Sequence, residues 1–432
     1  MENVELTENE YRIIDEIRRT QTNDKTYLSS VTNLSWPTVS KVIDSLKEKG
    51  YILEGEGPIS LNPEAVFYIG IAVGAREIKA VLCDFNFHVV ELSELEKKCE
   101  IKNILDKYPP NDENDDESRV DEYVCLSSAQ QLDQIAERLC AILKEFLSLD
   151  INVGAIGIAF PGTINTANNV IETCPNIPCL TGKSIFDLLK EDLRKDLLKR
   201  KIEIVIQHNA KACFISEKEQ LYHSKNNQRK GLANSKDIIC VYHGTGIGIG
   251  GCVNGVFLTG TTNSFGEFGH ILAPDFANEN SEEGNSFKCP FCQKKCLESL
   301  IRTRVFRSND LEAYKANTHR NKLKNFASTD RMQYEILVKY VGFIINTIVN
   351  IFNPQVLILT GRLYDCVDEL WNDMQIIKGE NTLSYSGNAC TILDGSRRQD
   401  TVAIGAAMFA YYKTTSYKDG IISWPMSTLN NT

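Results

Sequence analysis

No apolar run in the 432-residue chain reaches the roughly 18 residues that a membrane span needs. The start, Met1-Glu2-Asn3-Val4-Glu5, is acidic and lacks the basic-then-apolar order of a signal peptide. These two absences lead us to expect a cytoplasmic protein with no membrane association. A basic excess is missing as well: 47 Lys/Arg stand against 57 Asp/Glu, a net charge of −10. That excludes a uniformly basic coat for nucleic acid. Five of the acids fall in the run from Asn111 to Glu117, which reads as a solvated loop and says nothing about partners. What is present is ordinary for a globular protein, 42% hydrophobic and 24% charged. The length calls for two or three domains. The 14 cysteines, in such a compartment, are expected to be buried thiols or metal ligands and not disulfides. Cys83, Cys213, Cys240 and Cys252 lie in apolar runs and read as core.

The first sixty residues read as three short helices and a hairpin. Leu6, Ile13, Ile14 and Ile17 recur near helical spacing, with Thr7 as N-cap and Glu10 as its capping-box partner. A second helix fits Leu28 to Leu34. A third runs from Thr38 to Lys49 after the cap Ser35 and Pro37 in its first turn, and Gly50 stops it. Its Val39, Val42, Ile43 and Leu46 share one face, and Thr38, Ser40, Lys41 and Ser45 point outward. Tyr51 to Leu53 and Ile59 to Leu61 read as strands about the turn Glu54 to Pro58. This is the layout of a winged helix-turn-helix, whose third helix enters the major groove. Ser35, Trp36, Thr38, Ser40, Lys41 and Ser45 are the candidate DNA contacts. A helical dimerisation or docking module is the competing reading, and charge leans toward it. Residues 1–62 hold seven Lys/Arg and eleven Asp/Glu, though Lys25 to Lys49 has four lysines against Asp44 and Glu48. A DNA reader of this size would bind as a dimer, because one helix buries too little for specific affinity. Asn62-Pro63-Glu64 reads as a linker.

Beyond it the pattern becomes α/β. Strands are expected at Phe67 to Val73, Glu77 to Asp84, His88 to Leu92, Val153 to Phe160, Ile202 to Ile206 and Asp237 to Tyr242. Helices are expected at Gln130 to Leu147, Ser184 to Leu198, Asn209 to about Leu221, and Arg331 to Asn350. The stretch 98–127 and the tail with Trp424 are polar and irregular. Alternating strands and helices place functional loops at strand ends.

Several motifs in fixed order carry a resemblance. They are Gly157-Ile-Ala-Phe-Pro161-Gly162, Pro175-Asn176-Ile-Pro178, Gly244-Thr-Gly-Ile-Gly248, Gly266-Glu267-Phe-Gly269-His270 and the cysteines ending in Cys296-Leu-Glu298. Asn353-Pro354, Gly361 and Val402-Ala-Ile-Gly405-Ala-Ala continue the series. Together they resemble the ROK family of sugar kinases and sugar-responsive repressors, over nearly the whole chain. The resemblance implies a two-lobed actin-like, ribonuclease H-like body behind the winged helix-turn-helix of residues 1–62. Residues 66–190 would form the first lobe, completed by a helix at about 400–415. Residues 191–399 would form the second, with the metal loop and dimerisation helices.

The family's metal motif is Cys-x-Cys-Gly-x-x-Gly-Cys-x-Glu, with the histidine of Glu-x-Gly-His as fourth ligand. Here Cys289 and Cys296 keep the outer spacing, Phe291 takes the middle position and Cys292 follows. His270, Cys289, Cys292 and Cys296 still offer one nitrogen and three thiolates, the donor set of a closed structural Zn2+ site. The metal would brace the loop bearing Glu298 against the strand bearing Glu267. The resemblance also implies that Glu267, His270 and Glu298 line a sugar pocket, with Asn176, Gly162, His208 and Asn209 around it. Carboxylates and amides suit hydroxyl pairs.

The machinery for phosphoryl transfer is what this chain lacks. The kinases carry Glu-Asn-Asp-Ala-Asn-Ala where it has Gln207-His208-Asn209-Ala210-Lys211-Ala212. Asn209 cannot act as the general base, a loss worth about 10² to 10⁴ in rate. The turn Ala72-Val73-Gly74-Ala75-Arg76 has neither the acid nor the hydroxyl of the kinases' phosphate turn. The expectation is therefore a regulator without enzymatic activity. It would be a homodimer or homotetramer that binds operator DNA and a sugar or sugar derivative. Two other readings stay open: a sugar kinase with an accessory N-terminal module, which would explain the retained glycine turn, and a body that senses a partner protein.

Overall fold

The computed structural model describes residues 6–21, 24–53, 59–75, 77–91, 128–277, 288–289, 291–306, 326–396, 398 and 400–416. The turn 54–58, Arg76, Leu92, the acidic run 111–117 with the rest of 98–127, and the tail with Trp424 lie outside the described residues.

The N-terminal helices are α1 (Glu8–Thr20), α2 (Lys25–Thr32) and α3 (Trp36–Glu48). Local chemistry sets their starts. The Thr7 amide donates to Glu10 Oε2 at 2.7 Å, and the Glu10 amide donates to Thr7 Oγ1 at 3.4 Å, a complete capping box. Asp24 caps α2, and Ser35 caps α3 with Pro37 in the first turn. Ile13, Ile14, Ile17, Leu28, Val39, Ile43 and Leu46 form the shared core. The two expected strands after α3 meet through one antiparallel bridge, Ile52 to Leu61.

Two sheets build the body. The first has the order β2-β1-β3-β7, from β1 (Phe67–Val73), β2 (Ile78–Cys83), β3 (Val153–Phe160) and β7 (Glu203–His208). β1 pairs antiparallel with β2 and parallel with β3, which pairs parallel with β7. A small sheet of β4 (Thr163–Asn165), β5 (Val170–Thr173) and β6 (Lys183–Ser184) stands beside it. The second main sheet has the order β10-β9-β8-β11-β12. Its members are β8 (Ile238–His243), β9 (Ile247–Val253), β10 (Val256–Phe257), β11 (Val356–Thr360) and β12 (Thr391–Asp394). Every residue of β11 is buried, as expected for a parallel strand covered on both faces.

The larger body helices are α4 (Ser128–Ser148), α5 (Glu191–Arg200), α6 (Asn209–Tyr222), α7 (Arg331–Phe352), α8 (Glu369–Asn381) and α9 (Thr401–Tyr411). α9 is buried along its whole length and lies against β1, β3 and α6. The fit is close. A Cβ at Gly157 would come within 1.8 Å of the Ala406 carbonyl, and one at Gly405 within 1.8 Å of the Ala212 carbonyl. By length and composition α7 has enough apolar residues to cross a bilayer. It packs its Ile344, Ile345, Ile348 and Val349 into the core beside the second sheet and leaves Glu335, Lys339, Asn346 and Asn350 exposed.

Two expected elements differ. His88 to Leu92 does not form a strand in its described part; Val89 makes a single bridge to Cys83. The helix expected over Ser184 to Leu198 splits into a 3₁₀ turn, Ile185–Leu188, and α5. The Ser184 amide donates to Asp187 Oδ2 at 2.8 Å, which closes that turn early, and Leu189 and Lys190 are extended.

A contact that sequence reading missed fixes α1 to the body. The Arg18 guanidinium lies 4.4 Å from the Phe87 ring centre, 4.5 Å from that of Tyr411 and 5.0 Å from that of Phe85. It donates to the Phe85 carbonyl at 3.0 Å and to Asp15 Oδ1 at 2.8 Å. The Tyr411 hydroxyl, at the end of α9, donates to the same Asp15 oxygen at 2.7 Å. Arg19 lies over the Tyr222 ring at the end of α6.

Candidate functional site

β7 ends at His208 and α6 starts at Asn209, so the two residues sit where a parallel strand feeds a helix. Asn209 Nδ2 donates to the Val73 carbonyl at 3.4 Å, tying α6 to the end of β1. Among the described residues, its buried Oδ1 has no hydrogen-bond partner, and neither has the buried His208 Nδ1. Burial holds His208 below the ordinary imidazole range, Lys211 adds to the effect and Glu267 opposes it. The ring is therefore neutral near pH 7.

β8 and β9 form a hairpin, and Gly244, Thr245 and Gly246 are its turn. Glu298 holds that turn: its Oε2 accepts from the Ile247 amide at 3.0 Å. A Cβ at Gly246 would lie 2.6 Å from that oxygen and one at Gly269 2.9 Å, so both positions must be bare for the carboxylate to fit. Burial raises the Glu298 carboxyl. Glu267 immediately precedes the 3₁₀ turn Phe268–His270; it does not sit on a strand, as the sequence suggested. Asn176 is half-buried in the turn closed by the Ile177 amide on the Cys174 carbonyl, and no hydrogen bond joins it to Glu267, His270 or Glu298. Gly162, at φ +99, opens the neighbouring turn before β4.

The candidate metal-ligating residues converge. One donor atom from each of His270, Cys289, Cys292 and Cys296 lies within 4.8 Å of all the others. His270 Nδ1 is 3.5 Å from Cys289 Sγ and 3.7 Å from Cys296 Sγ. Tetrahedral zinc with ordinary bond lengths places such a nitrogen and sulfur about 3.6 Å apart. The turn that follows Cys289 is closed by the Gln293 amide on the Cys289 carbonyl, with Gln293 left-handed at φ 54. Leu272 bridges Cys296, and the Leu297 amide donates to the Ile271 carbonyl at 2.9 Å. The loop bearing Glu298 is thus pinned to Ile271 and Leu272. Cys289 and Cys296 are buried, and Cys292 is partly exposed. This cluster can hold a metal ion.

Sequence reading overlooked Lys211 and Asn263. Lys211, in the first turn of α6, is fully buried and donates to both the backbone and side-chain oxygens of Asn263. The signal was present, since a lysine stands where the kinase motif has its last asparagine. Burial pushes the amine down to about 8 from 10.5, and Glu267 opposes the shift. A lysine whose folded value is the lower one penalises the folded state below pH 8, and the penalty is relieved as pH rises toward 10.5. This group should add on the order of 3 kcal/mol of stability across that window. Lys211→Met should abolish that gain in denaturant-midpoint measurements; equal slopes in both proteins would refute the assignment.

On α3, Ser35, Trp36 and Lys41 are exposed, and Thr38 and Ser40 are partly so. Ser45 turns inward and donates to Glu10 Oε1 at 2.8 Å, so the outward placement expected for it does not hold.

The family model described as ROK matches residues 113–413. This chain belongs to the ROK family. It is 23% identical to the xylose repressor of Bacillus subtilis (strain 168), over 92% of this chain and 93% of that protein. A glucokinase of Thermotoga maritima is 25% identical, but the match spans 48% of this chain and 63% of the kinase. Among solved structures, a ROK family transcriptional regulator described as a homolog of E. coli MLC protein superposes with a TM-score of 0.62. It covers 94% of this chain and 98% of its own at 15% identity. A ROK family glucokinase from Streptomyces griseus, in complex with glucose and AMPPNP, gives 0.51 at 15% identity over 80% of this chain and 99% of its own. The fold is therefore the actin-like ROK body behind N-terminal helices.

Proposed function

We propose that this ROK protein is a sugar-responsive transcriptional regulator, a repressor without kinase activity. The observation that carries the reading is coverage. The likeness to xylose repressors spans 92% of this chain, so it reaches beyond the residues 113–413 of the family model, whereas the glucokinase match spans 48% of it. Residues 1–62 would read operator DNA as a winged helix-turn-helix, through Ser35, Trp36, Thr38, Ser40 and Lys41. The protein would act as a homodimer or a homotetramer of such pairs. A sugar would bind between the lobes 66–190 and 191–399, to Glu267, His270, His208, Asn209 and Glu298, with Gly162 and Asn176 at the rim. Zn2+ on His270, Cys289, Cys292 and Cys296 would be structural, because the four ligands leave no position for water.

α6 suits the coupling. It starts at Asn209, directly after β7, and ends at Tyr222 beneath Arg19 of α1. A sugar that binds one arrangement of the lobes more tightly shifts the DNA reader only by that difference in affinity, and DNA weakens the sugar by the same factor. Two measurements test the reading. D-xylose at 100 times its dissociation constant should stabilise the protein by about 2.7 kcal/mol, and it should release operator DNA in a gel-shift titration. Operator binding unmoved by any sugar would end the induction claim.

The glucokinase likeness and the kept glycine turn favour a second reading, an ATP-dependent sugar kinase with an accessory module. An ATP-turnover assay on the wild type and on Asn209→Asp separates the two. The new carboxylate would face the Val73 carbonyl at the position that Asn209 Nδ2 now occupies 3.4 Å away, and the phosphate turn would still lack its acid. We expect no ATP turnover with a hexose panel from either protein; turnover by the wild type would establish the kinase.

A further inference from the structure

Asn263 stands where the loop that delivers Glu267 meets the small sheet and the end of β7. It lies in the loop that leads from β10 toward Glu267, in the left-handed region at φ 56. Its side-chain amide donates to the Ile164 carbonyl on β4 at 2.9 Å and to Gln207 Oε1 on β7 at 3.2 Å. Its two oxygens accept from Lys211 Nζ, the side-chain one at 2.9 Å. One residue of the second sheet's loop is therefore tied to the small sheet, to the last turn of β7 and to the first turn of α6. Among the described residues no carboxylate lies within ion-pair distance of the Lys211 ammonium. Burying an ammonium on neutral acceptors is costly unless the geometry it enforces is needed. An apolar residue at position 211 would fill the space without that cost, but it would leave the Asn263 oxygens without donors.

We propose that Lys211 and Asn263 form a bridge that sets the separation of the two cleft walls before any ligand arrives. One wall is the turn from Gly162 to Ile164, and the other is the loop that delivers Glu267. Lys211 is a positioning residue: it touches the loop, and the loop presents the carboxylate. Preorganisation of this kind lowers the ordering cost of binding. What the walls hold rests on the sugar reading; the bridge itself does not.

Hydrogen exchange on the full-length protein without ligand tests it. The Asn263 amide donates to the Gly260 carbonyl and the Phe265 amide to the Thr259 carbonyl, so both report on the loop. Lys211→Met should speed their exchange at least tenfold and leave α7 unchanged. Asn263→Asp keeps acceptors for Lys211 but loses the donor to Ile164 and Gln207. It should spare the loop amides and speed exchange at 163–165 instead. Wild-type rates in both variants would overturn the bridge. A rise that extends over α7 in both would make these residues general props of the fold and overturn it equally. A D-xylose arm separates the two claims. Protection that D-xylose adds to the wild type, and adds at least tenfold more weakly to Lys211→Met, supports both. No effect on the wild type counts against the sugar reading alone, and the ligand-free comparison still decides the bridge.

Discussion

Arg18→Met should detach the three-helix module from the body. The guanidinium is enclosed by Phe85, Phe87 and Tyr411, and it shares Asp15 with the Tyr411 hydroxyl. Removing it takes the ion-pair partner from a buried carboxylate and leaves that carboxylate on the Tyr411 phenol, and breaking a buried pair from one side costs about 3–5 kcal/mol. The loss is specific to the junction, because Ile13, Ile14 and Ile17 keep the module's own core. α1 amides should exchange faster in Arg18→Met while those of α7 do not, and the thermal midpoint should fall. Asp15→Asn in the same chain should recover much of the loss, since no uncompensated charge then remains. If the double variant is as unstable as the single one, the pair is not what holds α1. If Arg18→Met unfolds like the wild type, the junction is incidental and a rigid link from Asn209 through α6 to the three-helix module loses its main support.

The contrast between what was legible and what was not follows sequence separation. The capping box of Thr7 and Glu10 and the Ser35 cap with Pro37 involve residues within one turn of each other. Buried strands such as β3 announced themselves as apolar runs. The metal cluster could be read because cysteine and histidine have few other uses at that spacing. Failures came where a distant partner decides. Ser45 faces inward because Glu10 is there, 35 residues away. Lys211 is buried because Asn263 accepts from it across 52 residues, and Asp15 meets Tyr411 across 396. No periodicity encodes such pairs. The split of the helix expected from Ser184 was a local error: Ser184 and Asp187 have the spacing of a capping box, a signal outweighed by the apolar pattern around them.

On the proposed zinc reading, the four candidate ligands should divide by burial. Cys289 and Cys296 are buried and His270 reaches both, whereas Cys292 is partly exposed on the outer side of the turn. Cys296→Ser should release the zinc, because a buried thiolate ligand has no substitute. Cys292→Ser should keep it at lower affinity, since water can enter on the exposed side. Structural zinc sites bind with apparent free energies on the order of 10 kcal/mol, and that binding energy is available to folding. In this body part of the loop is held without metal, by the Leu297 amide on Ile271. Chelation should therefore lower the thermal midpoint without unfolding the chain. The sharper consequence lies two residues on. Glu298, which accepts from the Ile247 amide, lies two residues after Cys296 at the start of the same short helix. A metal-free protein should lose sugar-dependent stabilisation while keeping α1 to α3 folded. Metal analysis of the purified protein, with thermal shifts for the two cysteine variants, checks this order. Zinc absent from the purified wild type, or a Cys296→Ser protein that keeps both its metal and its sugar response, would refute it.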